Sequence, residues 1–438
     1  MNSVGIISLG CSKNLTDSEV MLGVLSEGYE IEPDVTNADI VIVNTCCFIN
    51  DAKQESVEAI LEAAQLKEGR CKKLVVAGCL AQRYKEEILQ EIPEVDIILG
   101  TADYHRIGEI LENDISQSFG DIDKSPDYSL LPRINSMPHY TAYLKIADGC
   151  DNHCTYCVIP SIRGKFRSRT LEDLISEAER LAETGVKELI IIAQNTTDYG
   201  LDIYGKRCLA ELLDKLTEVP GIEWVRLHYA YPEGIDDQLL SVIADNPKVC
   251  KYLDIPIQHS HDAVLKRMGR RCTRQEMTEL FEKIRKQIPD VSLRTSVIAG
   301  FPGETEIQHD DLCEFLKEVR FDKLGAFTYS CEEGTPAEKL DGHVNEDVKE
   351  IRRGRIMEIQ GEISLENNKK RLGKTITVLA EGFDEEQMLW FGRSESDSAE
   401  VDGKVYFASE REVFEGDFIS VEILDCDEYD LYGKDIGI

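Results

Sequence analysis

Apolar residues in the first 112 positions fall into two alternating textures. Short runs at Val4–Leu9, Ile40–Asn44, Leu74–Ala77 and Ile97–Leu99 read as strands. Between them apolar positions recur at helical spacing. The clearest case is Ala52 to Leu66, which puts Ala52, Val57, Ile60, Leu61 and Ala64 on one side. Strands alternating with helices predict a parallel α/β sheet. The periodicity fails from Asn113 to Pro138, where Ser, Asp, Gly and the prolines Pro126, Pro132 and Pro138 mark a linker.

The alternation resumes from Tyr140 to Ser330. Strands are expected at Ala142–Ala147, Leu189–Ala193, Trp224–His228, Tyr252–Ile257, Ser292–Ala299 and Leu324–Tyr329. Amphipathic helices lie between them, such as the one that places Leu171, Leu174, Ile175, Ala178 and Leu181 together. Six such units predict an open, incomplete (βα) barrel, with chemistry at the carboxyl ends of its strands. Asn345 to Arg371 reads as one long helix. Lys374 to Ile438 changes to short alternating runs at Thr375–Ala380, Val405–Phe407 and Phe418–Ile423, as in a small antiparallel β-barrel. The expected division is a first domain at 1–116, a linker at 117–136, a central domain at 137–370 and a terminal barrel at 371–438.

Length agrees, since 438 residues suit about three domains. The net charge of −34 opposes nonspecific attraction to a polyanion. From Arg371 onward six Lys and Arg face eighteen Asp and Glu. Small barrels often bind nucleic acid, but this one would repel phosphate and suits a basic protein. No apolar run approaches the roughly 20 residues of a membrane span, and the N-terminus enters a strand without a basic leader. The fourteen cysteines show no secreted-scaffold logic, so a reducing cytoplasm is expected, with thiols serving as ligands or small core residues.

Cysteine placement carries the chemistry. Gly149-Cys150-Asp151-Asn152-His153-Cys154-Thr155-Tyr156-Cys157 sets three thiols in one tight loop just past the strand from Tyr140 to Ala147. Three thiolates can hold three irons of a four-iron cube and leave the fourth open to a small chelator. A zinc knuckle is the alternative and would want a fourth Cys or His; His153 sits inside the frame and His139 ahead of it. A second trio is dispersed: Cys11, Cys46 and Cys79 each follow a strand of the first domain. In a parallel sheet such positions share one edge, where ligands bind. Gly10 and Gly78 would let the chain turn beside the thiols. Taken singly, each of these is also a normal small buried hydrophobe; Cys47 and Cys71 lack the placement and read as bystanders.

Other strand ends carry polar stretches: Gln194-Asn195-Thr196-Thr197, Asp254 to His259, and Gly300-Phe301-Pro302-Gly303-Glu304-Thr305. Ordinary turn and capping chemistry would also want such residues. His259 and His261 read as a polar turn in the absence of a third ligand. Basic clusters at Arg163–Arg169 and Lys266–Arg274 are either solvated faces or the lining of an opening for phosphate or carboxylate groups.

The loop at Cys150 resembles the signature of the radical S-adenosylmethionine (SAM) enzymes, including the aromatic Tyr156 before the last cysteine. That resemblance implies a 4Fe-4S cluster on Cys150, Cys154 and Cys157 whose open iron chelates SAM. It also implies SAM contacts from Tyr156, Gln194 and Gln258. Three further stretches extend the likeness: Ser8-Leu9-Gly10-Cys11-Ser12-Lys13-Asn14 with Asp17-Ser18-Glu19, Asn44-Thr45-Cys46 with Phe48-Ile49, and Gly78-Cys79-Leu80-Ala81-Gln82-Arg83-Tyr84. With Ile159-Pro160-Ser161-Ile162-Arg163-Gly164, they make the whole chain similar to the radical SAM methylthiotransferases, which end in a TRAM barrel.

Within that family Gly-Cys-Ser-Lys-Asn, Phe48-Ile49 and the Arg163–Arg169 run look like the RimO branch, with Cys47 a local departure where a small non-ligand is expected. The branch methylthiolates the β-carbon of an aspartate in the small-subunit ribosomal protein S-twelve. The resemblance implies a second 4Fe-4S cluster on Cys11, Cys46 and Cys79 that carries the sulfur to be donated. One SAM would methylate that sulfur, and a second would supply the radical that opens the C–H bond. A reducing electron donor and a sulfur donor are implied as partners. The alternatives are the tRNA-modifying branch, plain sulfur insertion, and a non-enzymatic iron–sulfur electron carrier.

Overall fold

The computed structural model describes residues 2–128 and 131–437. Strands β1 (Ser3–Ser8), β2 (Glu30–Ile31), β3 (Ile40–Thr45), β4 (Lys73–Gly78), β5 (Ile97–Leu99) and β6 (Gln117–Ser118) form one sheet in the order β2-β1-β3-β4-β5-β6. All its pairings are parallel. The strands read as unbroken apolar runs because both faces are covered. Val41, Val43, Leu74, Val76 and Ile98 pack to one side, and Val4, Ile40, Ile42, Val75, Ile97 and Leu99 to the other.

The expected helix is α2 (Asn50–Gln65), following α1 (Ser12–Leu25). Its buried stripe is Ser56, Ile60, Ala63 and Ala64, while Val57 and Leu61 are 39% and 46% exposed. Small residues let α2 lie close on the sheet, which a count of large apolar residues does not reveal. The expected linker begins with an edge strand, β6, and is pinned further on by Arg133, which donates to Glu19 and Glu177. Residues 129–130 of that linker lie outside the described residues.

Past β7 (Thr141–Lys145), a short antiparallel pair, β8 (Ala147–Asp148) and β9 (Arg167–Ser168), brackets the cysteine loop. The second sheet continues with β10 (Glu188–Ile192), β11 (Trp224–Leu227), β12 (Val249–Asp254), β13 (Ser292–Ala299) and β14 (Lys323–Thr328). Its order is sequential from β7 to β14, every pairing is parallel, and it stays open. The outer face buries Leu144, Leu189, Ile191, Leu227, Leu253 and Leu293 under helices. The concave face is polar instead, with Glu188, Arg226, His228, Asp254 and Arg294. The long helix Glu346–Lys369 is capped by Asn345 and lies against β13 and β14.

The terminal domain is a closed barrel of β15 (Thr375–Asp384), β16 (Leu389–Ser394), β17 (Val405–Ala408), β18 (Phe418–Cys426) and β19 (Leu431–Asp435). The expectation of an antiparallel barrel holds for four pairings, but β17 and β19 close it in parallel. Val378, Val405, Phe407, Val421 and Ile423 fill its interior. Among the described residues no helix is long and apolar enough to cross a membrane.

Candidate active site

Cys11, Cys46 and Cys79 follow β1, β3 and β4, which are neighbours in the first sheet, so the three thiols meet at one edge. Burial pushes the Cys46 thiol up to about 12, and the adjacent Cys79 and Cys11 push it the same way. Burial also raises Cys79, against the pull of the Arg163 guanidinium, whose Nη2 lies 3.5 Å from its Sγ. Gly10 is required here for two reasons. Its φ is +86°, and a Cβ would sit 2.5 Å from Cys46 Cβ and 2.7 Å from its Sγ. Ser56 of α2 fixes the Cys46 backbone, accepting from its N–H at 2.9 Å and donating to its carbonyl at 2.8 Å. Cys11 stands at the N-terminus of α1, whose first-turn N–H groups favour negative charge. Cys47 is fully buried in the core beneath, and Cys71 donates to the Lys73 carbonyl.

The second trio is held by its flanks. At Gly149 φ is +77° and a Cβ would meet the Lys165 carbonyl oxygen at 2.0 Å. The Cys150 N–H donates to Gly164 O. Thr155 donates from its amide to Met268 O and from its hydroxyl to Arg267 O. The Tyr156 ring packs edge-on to Phe301, with centroids 6.3 Å apart, so the side chain anchors the loop. Cys154 Sγ lies 3.8 Å from the Tyr231 hydroxyl, and Arg270 covers the Tyr231 ring. Burial pushes Cys157 up to about 12, with Cys154 and Cys150 adding to it.

Both trios suit an iron–sulfur cluster. They are clustered thiols whose protons a cationic group would displace. Among the described residues no three Cys, His, Asp or Glu side chains are placed to hold one metal ion, and a cluster with one iron per thiolate does not need them to be. Gln194 adds a second mark of a ligand site. Its Nε2 donates to Asp148 Oδ1 at 3.0 Å, while its buried Oε1 accepts nothing among the described residues. An ammonium donor would satisfy it. Gln258 has φ +68°, and its backbone extends the sheet beside Val297 with its side chain half buried.

Several polar stretches prove to be turn chemistry. Asn195 accepts from Thr197 N–H, Glu304 accepts from the amides of Gly300 and Phe301, and Thr305 caps the following helix. His261 Nδ1 caps helix Asp262–Arg267. Burial holds the His259 imidazole down to about 4, and its Nδ1 accepts from the His261 amide.

Of the Arg163–Arg169 run, Arg169 lines a cavity together with Thr16, Tyr104, Arg133, Lys145 and Glu177. Arg163 and Arg169 are buried, and each is ion-paired inside the protein. Arg163 reaches Asp17 of α1 at 2.5 Å and Asp148, beside the Cys150 loop, at 3.4 Å, and Lys145 bridges the same two carboxylates. One guanidinium therefore links the Cys79 thiol to the carboxylate of Asp148, two residues before Cys150. Sequence reasoning missed this joint, since only its Asp17-Ser18-Glu19 and Arg163 ends stand out as motifs. It also missed the segment between β16 and β17. The carbonyls of Ser394, which ends β16, and of Glu395 accept from Arg226, Ser398 bonds His228, and Asp402 accepts from the Tyr252 hydroxyl. The terminal domain thus plugs the concave face of the second sheet.

Family models match at residues 3–100 (uncharacterized protein family UPF0004), 144–316 (radical SAM superfamily) and 372–436 (TRAM domain). The ribosomal protein uS12 methylthiotransferase RimO of Lachnoclostridium phytofermentans is 50% identical over 433 residues, 98% of each chain. That of Acetivibrio thermocellus is 49% identical over 445 residues, 99% of this chain and 98% of its own. Among solved structures, the radical SAM methyltransferase TsrM from Kitasatospora setae superposes with a TM-score of 0.54 at 15% identity, covering 88% of this chain and 79% of that one, a likeness of fold. Identity near one half from end to end is far above what shared architecture alone produces, and the chain belongs to the RimO family of radical SAM methylthiotransferases.

Proposed function

We propose that the protein methylthiolates the β-carbon of an aspartate in ribosomal protein uS12, using SAM and two 4Fe-4S clusters. The observation that carries this reading is the pair of thiol trios joined through Arg163, within a chain that matches RimO proteins throughout. Cys150, Cys154 and Cys157 would hold one cluster, and Cys11, Cys46 and Cys79 the other. When bound, these groups with SAM supply radical C–H activation and a methylated sulfur, chemistry beyond any general base at neutral pH.

The chain's own residues position and enclose. Gln194, oriented by Asp148, would accept from the SAM ammonium through its free Oε1. Arg163 stands against the Cys79 thiol and offsets the negative charge of ligating thiolates. The segment between β16 and β17 closes the concave face on one side and limits water there. The acidic barrel suits a basic ribosomal protein.

The test is anaerobic incubation of reconstituted, reduced protein with SAM and equal amounts of uS12 and tRNA. Mass spectrometry should show one H replaced by SCH₃ on a uS12 aspartate and unmodified tRNA. Modification of tRNA alone would move the chain to the other branch, and sulfur without methyl would make it a sulfur-insertion enzyme.

A further inference from the structure

Three lysines are buried among the described residues: Lys13, Lys145 and Lys349. Lys145 faces Asp17 and Asp148, and Lys349 faces Glu346. Lys13 has no carboxylate within ion-pair distance among the described residues. Its Nζ instead stands 3.2 Å from the centroid of the Tyr229 ring. Two negative groups lie nearby and both are committed: the Cys11 thiol to its cluster in the reading above, and Asp254, whose Oδ1 accepts from Arg294 and Oδ2 from the Tyr229 amide.

An aromatic face compensates a buried ammonium only in part, and such a cation normally keeps a counter-charge. Tyr229 is held for this contact. Its φ is +55°, which is costly for a residue with a Cβ, and its carbonyl accepts from both the amide and the hydroxyl of Thr196.

The position says what the missing counter-charge is. Lys13 lies in the first turn of α1, two residues after Cys11, and its ammonium reaches over the carboxyl end of β11. It therefore sits where the first cysteine site meets the concave face of the second sheet. We propose that Lys13 binds the side-chain carboxylate of the target aspartate, resting on the substrate reading above. That carboxylate is bonded directly to the carbon that reacts. A cation clamping it fixes the β-carbon beside the thiol edge at Cys11, and orientation of this kind is a main source of rate. It also sets specificity, because an asparagine amide offers no charge to a buried ammonium.

The experiment measures binding, by fluorescence anisotropy, of two labelled uS12 peptides to the reconstituted protein, one with the target aspartate and one with asparagine there. The wild type should prefer Asp by on the order of tenfold or more. Lys13→Met should erase that preference by weakening the Asp peptide alone, with iron content and circular dichroism unchanged; Lys13→Arg should restore part of it. Equal binding of the two peptides by wild type overturns the proposal without any variant. So does a Lys13→Met protein that keeps the preference while losing iron, which would make Lys13 a partner of the thiols. A wild type that leaves uS12 unmodified defeats the substrate reading itself, a result separate from either.

Discussion

Gly10 shows how a single residue can decide whether the dispersed trio exists. Any side chain there meets the Cys46 Cβ and Sγ at a backbone angle that L residues rarely adopt. Gly10→Ala should therefore yield folded protein with roughly half the wild-type iron. SAM cleavage should survive, because the Cys150 loop is fixed by contacts of its own; iron assay and deoxyadenosine release check both halves. At this scale the sequence is informative where position alone sets the chemistry. A cysteine after a strand in a parallel sheet must come to the edge, so the order of strands and thiols along the chain is enough to bring Cys11, Cys46 and Cys79 together. Lys13 is the opposite case. In sequence it is a lysine in a helical first turn, the usual setting for a solvated side chain, and only the second sheet packed against α1 buries it.

At the scale of elements, helices that lie between two units are the hardest to read. In α1 Lys13, Asn14, Thr16, Asp17, Ser18 and Glu19 are all buried alongside Met21 and Leu25, so no apolar stripe marks its inner face. The segment after β16 is polar for the same reason, since it fills a charged concavity. Its joint is Glu188, fully buried between Arg226 and Arg393 at 2.8 and 2.6 Å. Burial alone would raise this carboxyl, but Arg393 and Arg226 hold it down at about 2 against an ordinary 4.5. The stabilisation is complete above the ordinary value and lost as pH falls toward about 2. Acid should thus loosen the terminal barrel within that window, read by the fluorescence of Trp224 and Trp390. Glu188→Gln removes the carboxylate paired with Arg226 and leaves Arg393 with Glu381, and should cost about 3–5 kcal/mol at neutral pH, measured by denaturant unfolding.

For the molecule as a whole, charge is distributed with a purpose the totals hide. The protein carries −34, yet its buried joints spend arginines and lysines on internal carboxylates. The terminal barrel meanwhile presents exposed Glu385, Glu386, Glu410, Glu412 and Glu415. Association with basic uS12 should slow as ionic strength rises, mainly through the on-rate, which stopped-flow mixing would record. Fold class was legible because strand–helix alternation and the change of texture near Lys374 survive in a single chain. The packing of the three units on one another was not, because it runs through Arg163, Arg226 and Glu188, whose partners lie far away in sequence.

The central claim is that two thiol trios divide one reaction between them. The direct measurement compares two triple variants, Cys11, Cys46 and Cys79 to Ala and Cys150, Cys154 and Cys157 to Ala, after reconstitution. Both are incubated with SAM, reductant and uS12, and followed by mass spectrometry. The first should release deoxyadenosine but give no SCH₃ gain on uS12, and the second should give neither product. A methylthiolated uS12 from the first variant would contradict the account.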